Sequence, residues 1–197
     1  MMRTKIHFTP RQPAQRGASL IMVMLILVVV SLLGVGGAQI ALMSERGARN
    51  DRDQQVAWQA AEAALTDADF EMSYATSGRV ATFDGKNQSA FVAGCGTTGG
   101  AVGLCALNLT GKPAWLTVDY TDTSASAPTT KFGTFTSRVF AYGNVGIQPA
   151  KAPRYVIEMV TDPSSDPSDP TYLYRVTAMG FGPRDDIQAV LQMIYRI

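Results

Sequence analysis

The sequence predicts an α+β protein in which one long N-terminal helix packs on a C-terminal antiparallel β-sheet. Three observations support this fold class. Residues Ala18–Met43 contain no charged side chain. Between Val56 and Ala68, small apolar residues recur every four positions, as on one face of a helix. From Arg154 onward, apolar and polar residues alternate in segments separated by turn residues, which is typical of strands.

The apolar segment Ala18–Met43 is long enough to cross a membrane. At 1.5 Å per residue it would span about 39 Å, more than the roughly 30 Å hydrocarbon core of a bilayer. It is also longer than the roughly 7–15-residue apolar region of a secretory signal, and no cleavage site of the A-x-A type follows it. We therefore expect a helix that stays in the mature protein and contacts membrane lipid.

A short basic leader, residues 1–17, precedes this helix. It carries four basic residues and no acidic one. An excess of Lys and Arg before the first helix keeps the N-terminus in the cytoplasm and sends the following chain outward. We therefore expect a single-pass membrane protein whose C-terminal domain lies outside the cytoplasm.

Charge and histidine content exclude several function classes. Without the leader, the side chains sum to 13 − 16 = −3, and no basic stripe is present, so we expect no nucleic-acid partner. The only histidine, His7, lies in the leader. The remaining chain therefore lacks a Ser-His-Asp or Cys-His arrangement, and it has no phosphate-binding or dinucleotide motif. The sequence predicts neither an enzyme nor a bound cofactor.

The two cysteines, Cys95 and Cys105, lie on the exported side of the predicted membrane helix. An even pair in an oxidising compartment predicts a disulfide, here within a glycine-rich loop. The alternative is a metal site, which two thiolates alone do not complete.

The proline-rich loop Asp162–Pro170 contains three aspartates, which offer a second metal alternative, a calcium site. Their spacing is not that of an EF-hand.

The boundary Gln15-Arg16-Gly17, followed at once by the apolar helix, resembles the type III signal of type IV pilins. In that family a prepilin peptidase cuts after the glycine, and the helix becomes the new N-terminus. The resemblance implies cleavage between Gly17 and Ala18. In many mature pilins the residue at this new N-terminus carries an N-methylation. The alternative is an ordinary single-pass protein whose glycine is incidental.

A second block, Ala57 to Leu65 (AWQAAEAAL), resembles the N-terminal region of PilX-type minor pilins, and 153–158 and 174–182 resemble their C-terminal part. The pilin fold implied is a long helix with a sheet packed on its second half. We expect the helix packing and interaction residues to be Ala57, Ala60, Ala61, Glu62, Ala64 and Leu65. Glu62 is either exposed to solvent or in polar contact with an adjoining loop or subunit.

The sequence departs from the pilin pattern at one position. Most members of the pilin family have a glutamate as the fifth residue after the cut, where this chain has Met22. A carboxylate in lipid costs several kcal/mol unless it is compensated. In the family it is thought to compensate the amino terminus of a neighbouring subunit. A subunit with no neighbour ahead of it would not need this residue, so we hypothesise a place in a tip or priming complex.

The resemblance therefore implies a structural protein: a minor pilin that primes or caps a type IV pilus, the fibre used in adhesion and twitching motility. It also implies a place in the inner membrane, with the C-terminal domain in the periplasm, and in the pilus fibre or its tip after assembly. The implied partners are other minor pilins, the major pilin, the prepilin peptidase, the inner-membrane assembly platform and a tip adhesin. Two alternatives are a pseudopilin of a type II secretion system and an adhesion module carried on a pilus.

The expected organisation is a leader (1–17), a membrane half of the helix (18–43), an amphipathic half (44–72) and a sheet domain (73–197). The helix is expected from Ser19 to Met72. The strands are expected at Ala114–Tyr120, Ser137–Tyr142, Arg154–Thr161, Tyr172–Gly180 and Ile187–Ile197.

Overall fold

The computed structural model describes residues 18–74, 78–143 and 145–196. The chain divides into two compact units, with the boundary between Ala48 and Arg49. The regular elements, in chain order, are α1 (Ala18–Ser73), 3₁₀ turns at Val80–Thr82 and Gly99–Ala101, β1 (Leu104–Cys105), a 3₁₀ turn at Ala114–Leu116, β2 (Thr130–Lys131), β3 (Arg154–Thr161), β4 (Tyr172–Phe181) and β5 (Gln188–Tyr195). This arrangement confirms the predicted α+β class.

The helix α1 agrees with the predicted range, Ser19–Met72, to within one residue at each end. It contains no proline, the residue that most strongly breaks a helix, and its four internal glycines do not interrupt it. The part in the first unit is almost wholly exposed, whereas the part in the second unit has a buried face.

The sheet is built around β3. Its strand order is β1-β3-β4-β5, and β2 also pairs with β3. The β2–β3, β3–β4 and β4–β5 pairs are antiparallel, as predicted, but the two-residue strand β1 runs parallel to β3. The sheet is therefore mixed at one edge, where the glycine-rich segment adds a short strand.

Two predicted strands are wrong. The segment Ala114–Tyr120 begins with a 3₁₀ turn because Pro113 precedes it and a buried carboxylate accepts the N–H of Ala114. The segment Ser137–Tyr142 joins no sheet, and Ser137 has a φ of 58°, outside the strand region. Val139, at the centre of this segment, is 94% exposed. Alternation in sequence therefore did not correspond to a strand here, because no neighbouring strand pairs with the segment.

The other three predicted strands are confirmed, with their expected faces. In β4, Tyr174, Val176 and Ala178 are buried. In β5 the predicted inner face is buried at Ala189 and half-buried at Leu191, Met193 and Tyr195, whereas Val190 and Ile194 are exposed. The β4 side chains join two alanines of α1 in the main core, against which Met193 and Tyr195 of β5 also pack. The buried members of this core are Ala64, Ala68, Met72, Phe83, Phe91, Leu104, Tyr155, Ile157, Met159, Tyr174, Val176 and Ala178.

The helix and sheet meet almost backbone to backbone at Gly180. A Cβ atom at this glycine would lie 2.2 Å from the carbonyl oxygen of Ala57 and 2.3 Å from the amide nitrogen of Ala61. Both alanines are fully buried. Small residues on both elements therefore set the distance between α1 and β4, and a larger side chain at this position cannot be accommodated without moving one of the two backbones.

We predict that Gly180→Ala lowers the free energy of unfolding by about 2 kcal/mol or more, because the new methyl group meets helix backbone rather than a flexible side chain. The matched control is Gly100→Ala, where a Cβ would have no neighbour within 4 Å. We expect the control to change stability by less than about 0.5 kcal/mol. Urea unfolding of the full chain in detergent micelles measures both, and equal stability of the two variants would contradict the close contact.

Candidate functional site

The part of α1 in the first unit exposes a continuous apolar surface. Side chains from Leu20 to Met43 are mostly more than half exposed, including Met22 at 68%. By length and composition α1 is able to cross a membrane, and it is the one such helix in the described part of the chain. The first carboxylate after Ala18 is Glu45, so no acidic side chain lies along the apolar surface.

The predicted leader cleavage site is at the boundary between the leader and α1. Gly17 and the leader lie outside the described residues, and α1 begins at Ala18. The cut between Gly17 and Ala18 therefore stays a prediction from the sequence.

The predicted packing block lies at the start of the buried helix face. Ala57, Ala60, Ala61 and Ala64 are each at most 1% exposed, and Leu65 packs half-buried against the main core. The four alanines carry only methyl groups, so the backbone of the helix approaches the sheet closely at Ala57, Ala60 and Ala61.

Glu62 is exposed, which agrees with the first of its two predicted settings. The indole Nε1–H of Trp58, one turn earlier, donates a hydrogen bond to Glu62 Oε1 at 2.8 Å. This pair lies on the solvent side of α1, where Trp58 is 49% exposed.

Asp67 lies on the same helix face as the buried alanines and is itself fully buried. Its carboxylate accepts hydrogen bonds from the backbone N–H of Gly133 at 2.7 Å and from the hydroxyl of Thr136 at 2.5 Å. Arg138 Nη1 lies 3.6 Å from Asp67 Oδ1. One helix carboxylate thus holds the turn 133–138, which contains no regular element of its own.

Glu71, one turn further along, is the centre of a second buried group. It forms an ion pair with Arg79, whose Nε lies 2.9 Å from Oε1, and it accepts a hydrogen bond from the hydroxyl of Tyr155. Arg79 is 4% exposed, lies 3.8 Å from the ring centroid of Phe135, and donates to the carbonyl of Val102 at 3.0 Å.

Burial dominates the electrostatics of this group. It raises the pKa of Glu71 to about 7, although Arg79 and the Tyr155 hydroxyl oppose the shift. Burial also lowers the pKa of Arg79 and raises that of Tyr155. These groups connect α1, the segment after it and β3 at one buried point.

A third buried carboxylate, Glu158 of β3, binds the segment that begins at Ala114. It accepts the backbone N–H groups of Ala114 at 2.7 Å and Trp115 at 3.4 Å, and it forms an ion pair with Arg175 at 3.0 Å. Arg175 is its register partner on β4. Backbone N–H groups at the start of a helical turn favour a nearby negative charge, so Glu158 determines the conformation that replaces the expected strand.

Cys95 and Cys105 are joined in a disulfide, as expected, and both are nearly or fully buried. Cys105 also belongs to β1, where it pairs with Glu158 of β3. The disulfide therefore links the glycine-rich loop to a strand that is part of the sheet.

The aspartates of the proline-rich loop have separate partners. Asp162 pairs with Arg196 at 3.1 Å, and Asp169 pairs with Lys86 at 2.7 Å. Asp166 accepts hydrogen bonds within its own turn. Among the residues that the structure describes, no three His, Cys, Asp or Glu side chains are grouped so as to hold a metal ion.

The buried carboxylates at positions 67, 71 and 158 were not foreseen from the sequence. The signal for the first two was present, because Asp67 and Glu71 continue the spacing of the alanines at 57, 60, 61, 64 and 68. An acidic residue on an otherwise apolar helix face indicates a buried polar contact, since an unpaired buried charge is too costly.

Two family models match the chain: PilX N-terminal over residues 16–66, and "Type IV pilus assembly protein PilX C-term" over residues 44–197. The second match covers more than half of the chain. This chain belongs to the PilX family of type IV pilus assembly proteins. No curated protein and no solved structure matches it.

Membership of the PilX family makes the chain a component of type IV pilus assembly, and it implies contacts with other pilus components. PilX is a family of structural assembly proteins and not a known enzyme family. The N-terminal family match includes the long apolar part of α1, which is suited to anchoring such a component in a membrane.

The raised pKa of Glu71 gives this PilX protein a testable pH dependence. Because the folded-state pKa of about 7 lies above the ordinary value of 4.5, the stability contributed by Glu71 is full below pH 4.5 and is lost as pH rises through 7. We predict that, between pH 4.5 and 7.5, the wild type loses stability relative to Glu71→Gln, by roughly 1–3 kcal/mol.

Urea unfolding of the full chain in micelles at several pH values measures this difference. The exposed Glu62→Gln on the same helix is the matched control. If the stability difference between Glu71→Gln and the wild type does not change with pH, as is expected for the control, Glu71 does not titrate as the structure indicates.

Proposed function

We propose that this PilX-family protein is a minor pilin that primes or caps a type IV pilus as part of a tip complex. The observation that supports the proposal is the uncharged surface of α1 between Ala18 and Ser44, with Met22 where most pilins resemble one another in a glutamate. Such a subunit offers an apolar helix to its neighbours but has no carboxylate to pair with the amino terminus of a subunit ahead of it.

In this mechanism the apolar part of α1 first anchors the subunit in the membrane. Cleavage by the prepilin peptidase after Gly17 frees an amino terminus at Ala18. That positive terminus can compensate the glutamate of the next subunit to be added. The chain can therefore bind a subunit behind it without needing a subunit ahead of it. Other minor pilins, the major pilin and a tip adhesin are the proposed partners, and the inner-membrane platform is the proposed site of assembly.

The periplasmic domain would present loops to these partners. Support for this role comes from the buried contacts of Asp67, Glu71 and Glu158, which hold long irregular segments against the helix and sheet. Surface segments held in one conformation bind with a smaller loss of conformational entropy than flexible ones.

We predict that the intact mass of the membrane protein corresponds to a chain beginning at Ala18 only in cells that contain the prepilin peptidase. In cells without the enzyme, the mass should include residues 1–17. Mass spectrometry of the purified protein from both strains measures this, and it also detects a methyl group on Ala18. A full-length mass in both strains would make the chain an uncleaved single-pass protein and would overturn the pilin mechanism.

The tip position is tested by Met22→Glu, with Met22→Gln as a neutral control of similar size. A subunit with no neighbour ahead cannot compensate the new carboxylate, which costs a few kcal/mol in lipid, about 3 kcal/mol on insertion scales. We predict several-fold fewer surface pili, and weaker copurification of other minor pilins, with Met22→Glu than with Met22→Gln.

Pilus counts by electron microscopy are compared at equal amounts of membrane-inserted protein, so that a failure of insertion is not scored as a failure of assembly. Normal pili and normal copurification with Met22→Glu would mean that a subunit ahead compensates the carboxylate. That outcome would place the chain within the body of the fibre.

A further inference from the structure

A pocket of about 240 Å³ lies beside the start of β3, and the described residues that line it include three cations and no acid. We call it the lysine–arginine pocket. Its lining residues are Thr123, Lys131, Tyr142, Lys151, Ala152 and Arg154. It is separate from the apolar part of α1 and from the buried carboxylates that hold the loops.

Two of the cations directly oppose each other on neighbouring strands. Lys131 of β2 is the register partner of Arg154 of β3, and the pair is antiparallel. Opposed residues in such a pair point to the same face of the sheet, and like charges placed there are destabilising. Among the residues that the structure describes, neither side chain forms an ion pair with a carboxylate.

Thr129 holds the side chain of Arg154 in place. Its Nε and Nη2 atoms donate to the side-chain and backbone oxygens of Thr129 at 2.6 and 2.7 Å. The residue is 7% exposed, yet it lines the pocket. A guanidinium carries five donors, so the two bonds to Thr129 leave donors for a ligand.

The two lysines complete the cationic lining. Lys131 Nζ donates to the hydroxyl of Tyr142 at 3.1 Å and lies 5.1 Å from the centre of its ring. Lys151 Nζ pairs with Asp185 at 2.9 Å, but that carboxylate is 59% exposed and is not part of the lining.

The nearby acids do not fill the pocket. Asp119 and Asp122 interact electrostatically with Lys151 and Arg154, but each accepts hydrogen bonds from its own turn, and neither lines the cavity. The neutral lining adds the half-exposed ring of Tyr142 and the hydroxyl of Thr123, which suit the carbon skeleton and hydroxyl groups of a small organic ligand.

We propose that the lysine–arginine pocket binds a small organic oxyanion, a carboxylate or phosphate group carried on a short skeleton such as an acidic sugar. The oxyanion would be bound between Lys131, Lys151 and Arg154, where it relieves the repulsion between the opposed cations. Charge-assisted hydrogen bonds from lysine and arginine are the usual means of binding carboxylate and phosphate. This inference does not depend on where the chain lies in a pilus.

The test is calorimetric titration of the full chain in detergent micelles with four probes: galacturonate, glucose 6-phosphate, inorganic phosphate and galactose. Each is titrated into the wild type, Lys131→Gln, Lys151→Gln and the control Lys112→Gln, which alters an exposed lysine outside the pocket. We expect one or both acidic sugars to bind the wild type and Lys112→Gln equally, and galactose not to bind. The two pocket variants should bind about tenfold more weakly, as expected for losing one hydrogen bond to a charged group.

Thermal unfolding without ligand keeps the result interpretable. Lys131→Gln removes the repulsion with Arg154, so its melting temperature should not fall below that of the wild type. The galacturonate and glucose 6-phosphate arms decide between carboxylate and phosphate. Three outcomes would overturn the proposal. Inorganic phosphate could bind as tightly as glucose 6-phosphate, or the acidic sugars could bind no better than galactose. The control Lys112→Gln could also lose as much affinity as the pocket variants.

Discussion

The close contact between the small-residue face of α1 and β4 is the constraint on which the rest of the domain depends. Because Gly180 has no side chain, the backbone of α1 approaches β4 closely next to Ala57 and Ala61. Further along the same helix face, Asp67 and Glu71 are also buried. The same helix face therefore supplies both the apolar packing and the buried charges.

These buried charges carry a cost that the fold offsets with hydrogen bonds. A buried ion pair is weak evidence for stability, because desolvation can exceed the Coulombic gain, but removing one partner leaves an uncompensated charge. Glu71 illustrates the balance, since burial raises its pKa even with Arg79 beside it. What such contacts give this protein is a defined position for segments that have almost no regular structure, such as 133–138 and 78–83.

The two units of the chain follow different physical rules. In residues 18–48 apolar side chains are exposed along a helix, which is stable only in lipid or against other apolar helices. In residues 49–197 apolar side chains are gathered between helix and sheet, and polar segments are closed by carboxylates and a disulfide. In the proposed minor-pilin role, the first surface would contact lipid and other helices, and the second would face water and partners.

The sequence by itself determined the elements whose periodicity is long and regular. These are the helix α1, the strands β3, β4 and β5, and the resemblance that led to the PilX family, because each repeats one pattern over many residues. Only the tertiary structure decided the conformation of two segments, 114–120 and 137–142. There Ala114–Leu116 turns into a 3₁₀ helix because Glu158, distant in sequence, accepts its N–H groups, and Ser137–Tyr142 stays outside the sheet because no strand is beside it. The opposition of Lys131 and Arg154 likewise depends on strand register. Contacts between residues far apart in the chain leave no local pattern, so their effects appear only once the helix and sheet have brought them together.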